Sequence, residues 1–303
     1  MDNDKAQTDL SGGAVRQLAH RVVVVAIAWG CLGVVPAMAD TVADPQTRSP
    51  FEVDLAVDLP AIVITAVIAG APVVLMDELS GPHCGPLCDR GSLNPFDRTV
   101  VGFRSDSAAV VANILVGSAV ALPFVFDLID VAISDTADGW SGWATDVVVL
   151  GETALVNNAL FQVTKLAVRR PRPYAYDPDV SVTERSQADA AMSFYSGHTA
   201  NAFAMATAYS YLFTKRHADS GMVIPVWLGT HLLAVGTGVS QVLAGEHFWT
   251  DVIVGAVVGS AVGLAIPHLH LRDSEGPEKS DGLSIHLAPT VGPGVIGVTL
   301  SIL

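Results

Sequence analysis

Between residues 59 and 271 the chain alternates long apolar stretches with short polar or glycine- and proline-containing breaks. Six stretches, 59–76, 108–128, 143–168, 199–214, 222–244 and 251–271, have the ~16–25 residues of a bilayer-length helix. Several are impure. The third holds Asp146, Glu152, Asn157 and Asn158, and the fifth holds His231. An ionisable group turned toward lipid is costly, so these side chains are expected to face the interior of a bundle. Helices buried in a soluble all-α protein would give the same pattern. In the sixth stretch Gly255, Gly259 and Gly263 recur every four residues, a flat stripe that lets another helix approach closely. After a polar run at 273–282, Leu283, Ile285 and Leu287 alternate, Gly292-Pro293-Gly294 marks a turn, and 295–303 is rich in β-branched residues. This predicts a terminal β-hairpin, too short for a membrane barrel.

Composition moves the bundle toward a membrane. Half the residues are hydrophobic, 15% are charged and the mean hydropathy is +0.46, too apolar for an ordinary soluble enzyme. A formal charge of −14 argues against nucleic acid as a partner and against electrostatic docking on anionic lipid. At the N-terminus, Arg16, His20 and Arg21 precede an apolar run at 22–36, and Ala37-Met38-Ala39 stands before Asp40. That is the layout of a cleavable export signal, with an uncleaved anchor as the alternative. Cys31 would leave with the signal. Cys84 and Cys88 remain in a loop with Gly81, Pro82 and Pro86, and in an oxidising compartment they are expected to form a disulfide. Zinc there would need more ligands than His83 adds. The expected organisation is a signal at 1–39, a helical catalytic domain at 40–272, and a linker with the hairpin tail at 273–303.

Three runs carry candidate chemistry. Lys165, Arg169 and Arg172 are spaced by four and three residues, one face of a helix that Pro171 and Pro173 would end. The guanidinium fork and the lysine point charge both suit phosphate oxygens, although such residues are also common as a solvated flank. Ser196-Gly197-His198 would cap a helix and expose backbone N–H groups to an anion. His198 could then protonate a leaving oxygen; an ordinary cap beside an incidental histidine is the plain alternative. His247 and Asp251, four apart, would let the carboxylate fix the imidazole tautomer and free the other nitrogen to attack phosphorus. A surface i, i+4 pair is the bland reading. His231 is expected to be an interior group, and His268 and His270, at a helix end, to meet the dipole or solvent rather than a metal.

Taken together, the runs resemble the type 2 phosphatidic acid phosphatase (PAP2) and vanadium haloperoxidase superfamily, whose signature is K-x6-R-P, P-S-G-H and S-R-x5-H-x3-D. Lys165 and Arg172-Pro173 match the first element. Ser196-Gly197-His198 match the second, with Tyr195 in place of proline, and Ser240, His247 and Asp251 match the third, with Gln241 in place of arginine. The resemblance implies a six-helix bundle and a metal-free, cofactor-free phosphatase. Lys165, Arg172, Ser196 and the Gly197 amide would hold phosphate. His247 would be the nucleophile oriented by Asp251, and His198 the acid. Gln241 would be a weakened phosphate donor, with Arg169 or Arg170 a possible substitute. The substrate would be a phosphorylated lipid or small phosphate ester, and the enzyme would be exported, envelope-bound and facing the periplasm. Impaired activity is open, because a lost charged donor can cost ~3 kcal/mol. A non-catalytic phosphate-binding or structural envelope protein is the alternative, with vanadate-dependent halide oxidation behind it. The sequence gives no oligomeric state. Six crossings with an outward site also conflict with a cleaved signal, which would start the chain on the wrong side.

Overall fold

A computed structural model describes residues 49–75, 79–133, 139–272, 285–292 and 295–302. The expected signal, Cys31 and the polar linker at 273–282 lie outside the described residues. Among the described residues there are six long helices: α1 Leu55–Leu75, α2 Asp106–Ile133, α3 Gly139–Val168, α4 Gly197–Arg216, α5 Val223–Leu243 and α6 Trp249–Leu269. Each falls on one of the six expected stretches. One-turn helices at Pro95–Arg98 and Val182–Arg185 lie in the connections.

All but α4 are long and apolar enough to cross a membrane. Helix α4 is instead the hub, packed against α2, α3, α5 and α6. Its sequence explains why. Ala200, Ala202, Ala204, Ala206 and Ala208 are all buried, and side chains this small bring neighbouring backbones close on every side. The glycine stripe of α6 faces it. A Cβ at Gly259 would overlap the Ala200 carbonyl oxygen, and one at Gly263 the Ala204 carbonyl oxygen. Gly259→Ala is therefore expected to destabilise the bundle. Alanine's helix propensity offers at most ~1 kcal/mol in its favour, whereas forcing two backbones apart costs ~1–3 kcal/mol. The thermal midpoint in detergent should fall; an unchanged midpoint would mean that α6 can slide off α4.

The outer surface is apolar. On α5, Ile224, Leu228, Leu232, Val235 and Val239 are exposed, the first and third at 70%, and α1 presents Val63, Ile64 and Val67 in the same way. So extensive an apolar surface would be a liability in water. The polar residues of α3 turn inward. Asp146 pairs with Arg216 through both oxygens, at 2.7 and 2.9 Å, and Asn157 donates to Asn201 at 2.6 Å. These partners let Asp146 and Asn157 face the interior of the bundle, so their presence in α3 does not by itself favour a soluble protein. The protein is membrane-associated. His231 is an interior group, stacked on Trp227 with 5.2 Å between ring centres.

A separate unit, Arg272–Leu303, contains β1 Ile285–Gly292 and β2 Val295–Ile302. They pair antiparallel, Ile285 opposite Ile302 and Gly292 opposite Val295.

Candidate active site

The three sequence runs meet at one end of the bundle, where α3 and α5 finish and α4 and α6 begin. Backbone bonds tie them together. Ser193 N–H donates to the Arg170 carbonyl, Ser196 N–H to the Asp251 carbonyl, and Arg172 N–H to the Ala190 carbonyl.

Asp251 is the centre. It lies in the first turn of α6, fully buried. One carboxylate oxygen accepts from Ser193 Oγ at 2.6 Å and from Phe248 N–H at 3.0 Å, which caps the helix. The other accepts from Arg170. His247 Nδ1 lies 3.9 Å from Asp251 Oδ2 and has no hydrogen-bond partner. The expected orienting contact is thus an approach, longer than a hydrogen bond. Burial, reinforced by the charges of Arg172 and Lys165 against an opposing pull from Asp251, lowers the His247 pKa to about 4. Its imidazole is neutral at pH 7, with a lone pair to offer.

Arg170 clamps two buried carboxylates, Asp251 and Asp97, the latter at 2.7 Å. Asp97 also accepts from Thr250 N–H, Thr250 Oγ1 and Asn94 Nδ2. Burial alone would raise its pKa, but these bonds, with Arg170, hold it below the ordinary carboxylate value. Asp97, Ser193, Thr250 and the role of Arg170 were not legible in the sequence. Arg170 was visible as part of a basic run, whereas Asp97 lies far upstream with nothing around it to suggest a partner.

Arg169 departs from its expected place. Helix α3 stops at Val168, and Arg169 takes a left-handed conformation with φ of 48°. The helical spacing that placed Lys165, Arg169 and Arg172 on one face no longer applies beyond that point. The Arg169 side chain turns out to the Ser80 carbonyl, and its neighbour Arg170 turns in. Compensation for the missing arginine at 241 therefore does not come from Arg169.

Arg172 is held by Asp189 at 2.8 Å and Glu246 at 2.7 Å. Both carboxylates are substantially exposed, at 50% and 37%, so an incoming anion could displace them. Lys165 lies over the Phe161 ring. Gln241 is buried near the end of α5, and its carbonyl accepts from the Glu246 N–H. Ser196 caps α4, accepting from the Thr199 N–H and hydroxyl. A Cβ at Gly197 would strike the Phe161 ring, so this glycine has a packing reason beside any phosphate role. His198 is half-buried, and its Nε2 meets Asn113 Oδ1 of α2 at 2.8 Å.

Cys84 and Cys88 are disulfide-bonded. The Cys88 N–H donates to the Ala175 carbonyl just after Arg172, which pins this loop to the same end. His270 is neither solvated nor merely at a dipole. It is buried against two carboxylates at the opposite end.

Residues 146–275 match the PAP2 superfamily, in agreement with the resemblance read from the motifs. A lipid A 1-phosphatase of Porphyromonas gingivalis is 38% identical over 96 residues, 30% of this chain and 20% of that protein. The aligned part thus spans about a fifth of that curated relative. Among solved structures, a transmembrane PAP2 type phosphatidylglycerolphosphate phosphatase from Bacillus subtilis superposes with a TM-score of 0.41 and 21% identity. That superposition covers 70% of this chain and 94% of the other.

Proposed function

We propose that the protein is a membrane phosphatase that removes phosphate from a phosphorylated lipid or a small phosphate ester through a phosphohistidine. The observation that carries this reading is the convergence of three distant runs on one buried, neutral imidazole. Nε2 of His247 attacks phosphorus, the P–O bond to the leaving group breaks, and His198 gives that alkoxide its proton. The histidine then carries positive charge, which draws its Nδ1–H toward Asp251 and closes the 3.9 Å gap. Water, deprotonated by His198, attacks the phosphohistidine, and phosphate leaves with His247 restored. Lys165, Arg172 and the N–H groups at the start of α4 stabilise the developing charge. For phosphate to bind, Arg172 exchanges its carboxylate partners for phosphate oxygens.

A cleft lined by Phe103, Arg104, Val111, Ser240 and Leu243 opens between α2 and α5 beside this end. Apolar walls next to a phosphate site suit an acyl chain, which favours a lipid substrate. In this reading the helices cross the membrane, and the Cys84–Cys88 disulfide supports a site facing an oxidising, periplasmic side. That orientation puts the start of α1 on the opposite side, which conflicts with cleavage after Ala39. Asp40 as the first residue on N-terminal sequencing would overturn it.

A second reading, a non-catalytic phosphate-binding or structural protein, draws on Gln241 and on the two carboxylates already neutralising Arg172. Phosphate release from a lipid phosphate in detergent, without added metal, separates the two. Activity is expected in the wild type, with an acid limb near pH 4 rather than near 6.5, since His247 is inactivated by protonation at its lowered pKa. The same shift makes folding stability fall as pH drops from 6.5 toward 4, because the unfolded chain binds the proton first. An inactive wild type that Gln241→Arg makes active would favour the second reading.

A further inference from the structure

At the end of the bundle away from the phosphate site, three side chains from distant parts of the chain point into one buried space. Asp58 comes from the first turn of α1, Glu152 from α3, and His270 from the residue closing α6. All three are more than nine-tenths buried. His270 Nε2 lies 3.2 Å from Glu152 Oε2 and 3.5 Å from Asp58 Oδ1. We infer that Asp58, Glu152 and His270 form a binding site for a zinc-class divalent cation that fastens the start of the helical bundle to its end.

The geometry is that of a ligand set. Donor atoms bound to zinc at ~2.0–2.1 Å in a tetrahedron stand about 3.3 Å from one another, and the two distances bracket that edge. The outer contacts are also those a ligand set needs. His270 Nδ1 donates to the Ile266 carbonyl at 2.8 Å, which turns Nε2 toward the carboxylates, where a bound cation would take the place of the Nε2 proton. Asp58 accepts the Asp54 N–H at 2.7 Å with Oδ2, leaving Oδ1 for the shared space. His270 Nε2 and Glu152 Oε2 stand 3.2 Å apart but outside hydrogen-bond geometry, a poorly satisfied arrangement for buried polar atoms. One dication balances two carboxylates and occupies all three donors, with water as the fourth ligand. Imidazole with carboxylates suits zinc and its neighbours rather than magnesium or calcium.

The surroundings say what the ion would do. The Glu52 N–H donates to the His270 carbonyl at 2.9 Å, and Phe51 bridges Leu271, so the segment entering α1 already lies along the end of α6. A cation here would lock that junction to α3, remote from the phosphate chemistry. Failure of the phosphatase reading would leave this site unaffected.

The test uses the full chain purified in detergent from zinc-supplemented cells. Metal analysis after gel filtration should find about one zinc per chain, and cobalt exchange should give the strong visible absorption of a tetrahedral site. His270→Ala and the near-isosteric Glu152→Gln should lose both signals. A chelator should lower the melting midpoint of the wild type and leave both variants unmoved. If either variant fails to fold, the wild-type zinc content and its chelator-induced shift still decide. A wild-type protein that carries no zinc and takes up none on titration overturns the inference, as would zinc retained by His270→Ala. A pH titration showing only an imidazolium between the carboxylates would do the same.

Discussion

His247→Ala will lower phosphate release by at least about a thousandfold while the protein stays folded with a melting midpoint only several degrees lower, because the variant removes the attacking atom. The imidazole is fully buried, yet among the described residues its Nδ1 has no hydrogen-bond partner, so its removal leaves no donor or acceptor newly orphaned there. Asp251 keeps Arg170, Ser193 and the Phe248 N–H. The lost ring volume is the main structural cost, about 1–3 kcal/mol by the usual cavity scale, and His247→Gln fills much of it. Equal release from wild type and either variant would remove His247 from the mechanism. Rapid quench of the wild type with labelled substrate should also trap an acid-labile, base-stable protein phosphate that His247→Gln does not form.

The second large effect is on stability. Arg170→Met should cost about 3–5 kcal/mol, the usual consequence of taking one partner from a buried ion network. Two carboxylates, Asp97 and Asp251, share this one guanidinium, and both are wholly buried. Methionine keeps the aliphatic stem but not the guanidinium, whose carbon sits 4.4 Å from the Phe248 ring centre, so the loss combines the charge with that cation–π contact. Arg169→Met is the control. Its guanidinium meets backbone carbonyls at Ser80 and Gly81, and its removal should cost under about 1 kcal/mol. Chemical denaturation of the two variants side by side measures the difference. Similar losses would mean that Arg170 is not what holds the two carboxylates.

The helices could be read from the sequence because they rest on local pattern, and the meeting of the motifs because the family resemblance implied it. Apolar runs of the right length mark helices, and glycines every four residues mark a close contact without naming the partner. The hub role of α4 was less visible, since its alanines read as weak hydrophobicity until neighbours surround them. The basic run shows where local pattern fails. Helical spacing assigned Arg169 to the site, but one residue of left-handed backbone exchanged it with Arg170. Asp97 and Ser193 were out of reach because their significance is a contact made across long separations. The same holds for His270, whose two carboxylate partners lie more than a hundred residues away along the chain.

Helix α4 also constrains how the protein is made. In the proposed membrane setting, it is the long helix that a bilayer would not accept by its own hydrophobicity. Its polar side chains include Asn201, Thr207 and Ser210, and these are met by α3 and α5. During synthesis it must therefore wait at the water boundary until later helices emerge and carry it in. Because Ser196, Gly197 and His198 sit at its leading end, the phosphate-binding groups come together only after the whole helical core has been synthesised. A nascent chain truncated before α6 would lack Asp251 and the glycine face that packs on α4, so no such partly built form would carry an assembled site.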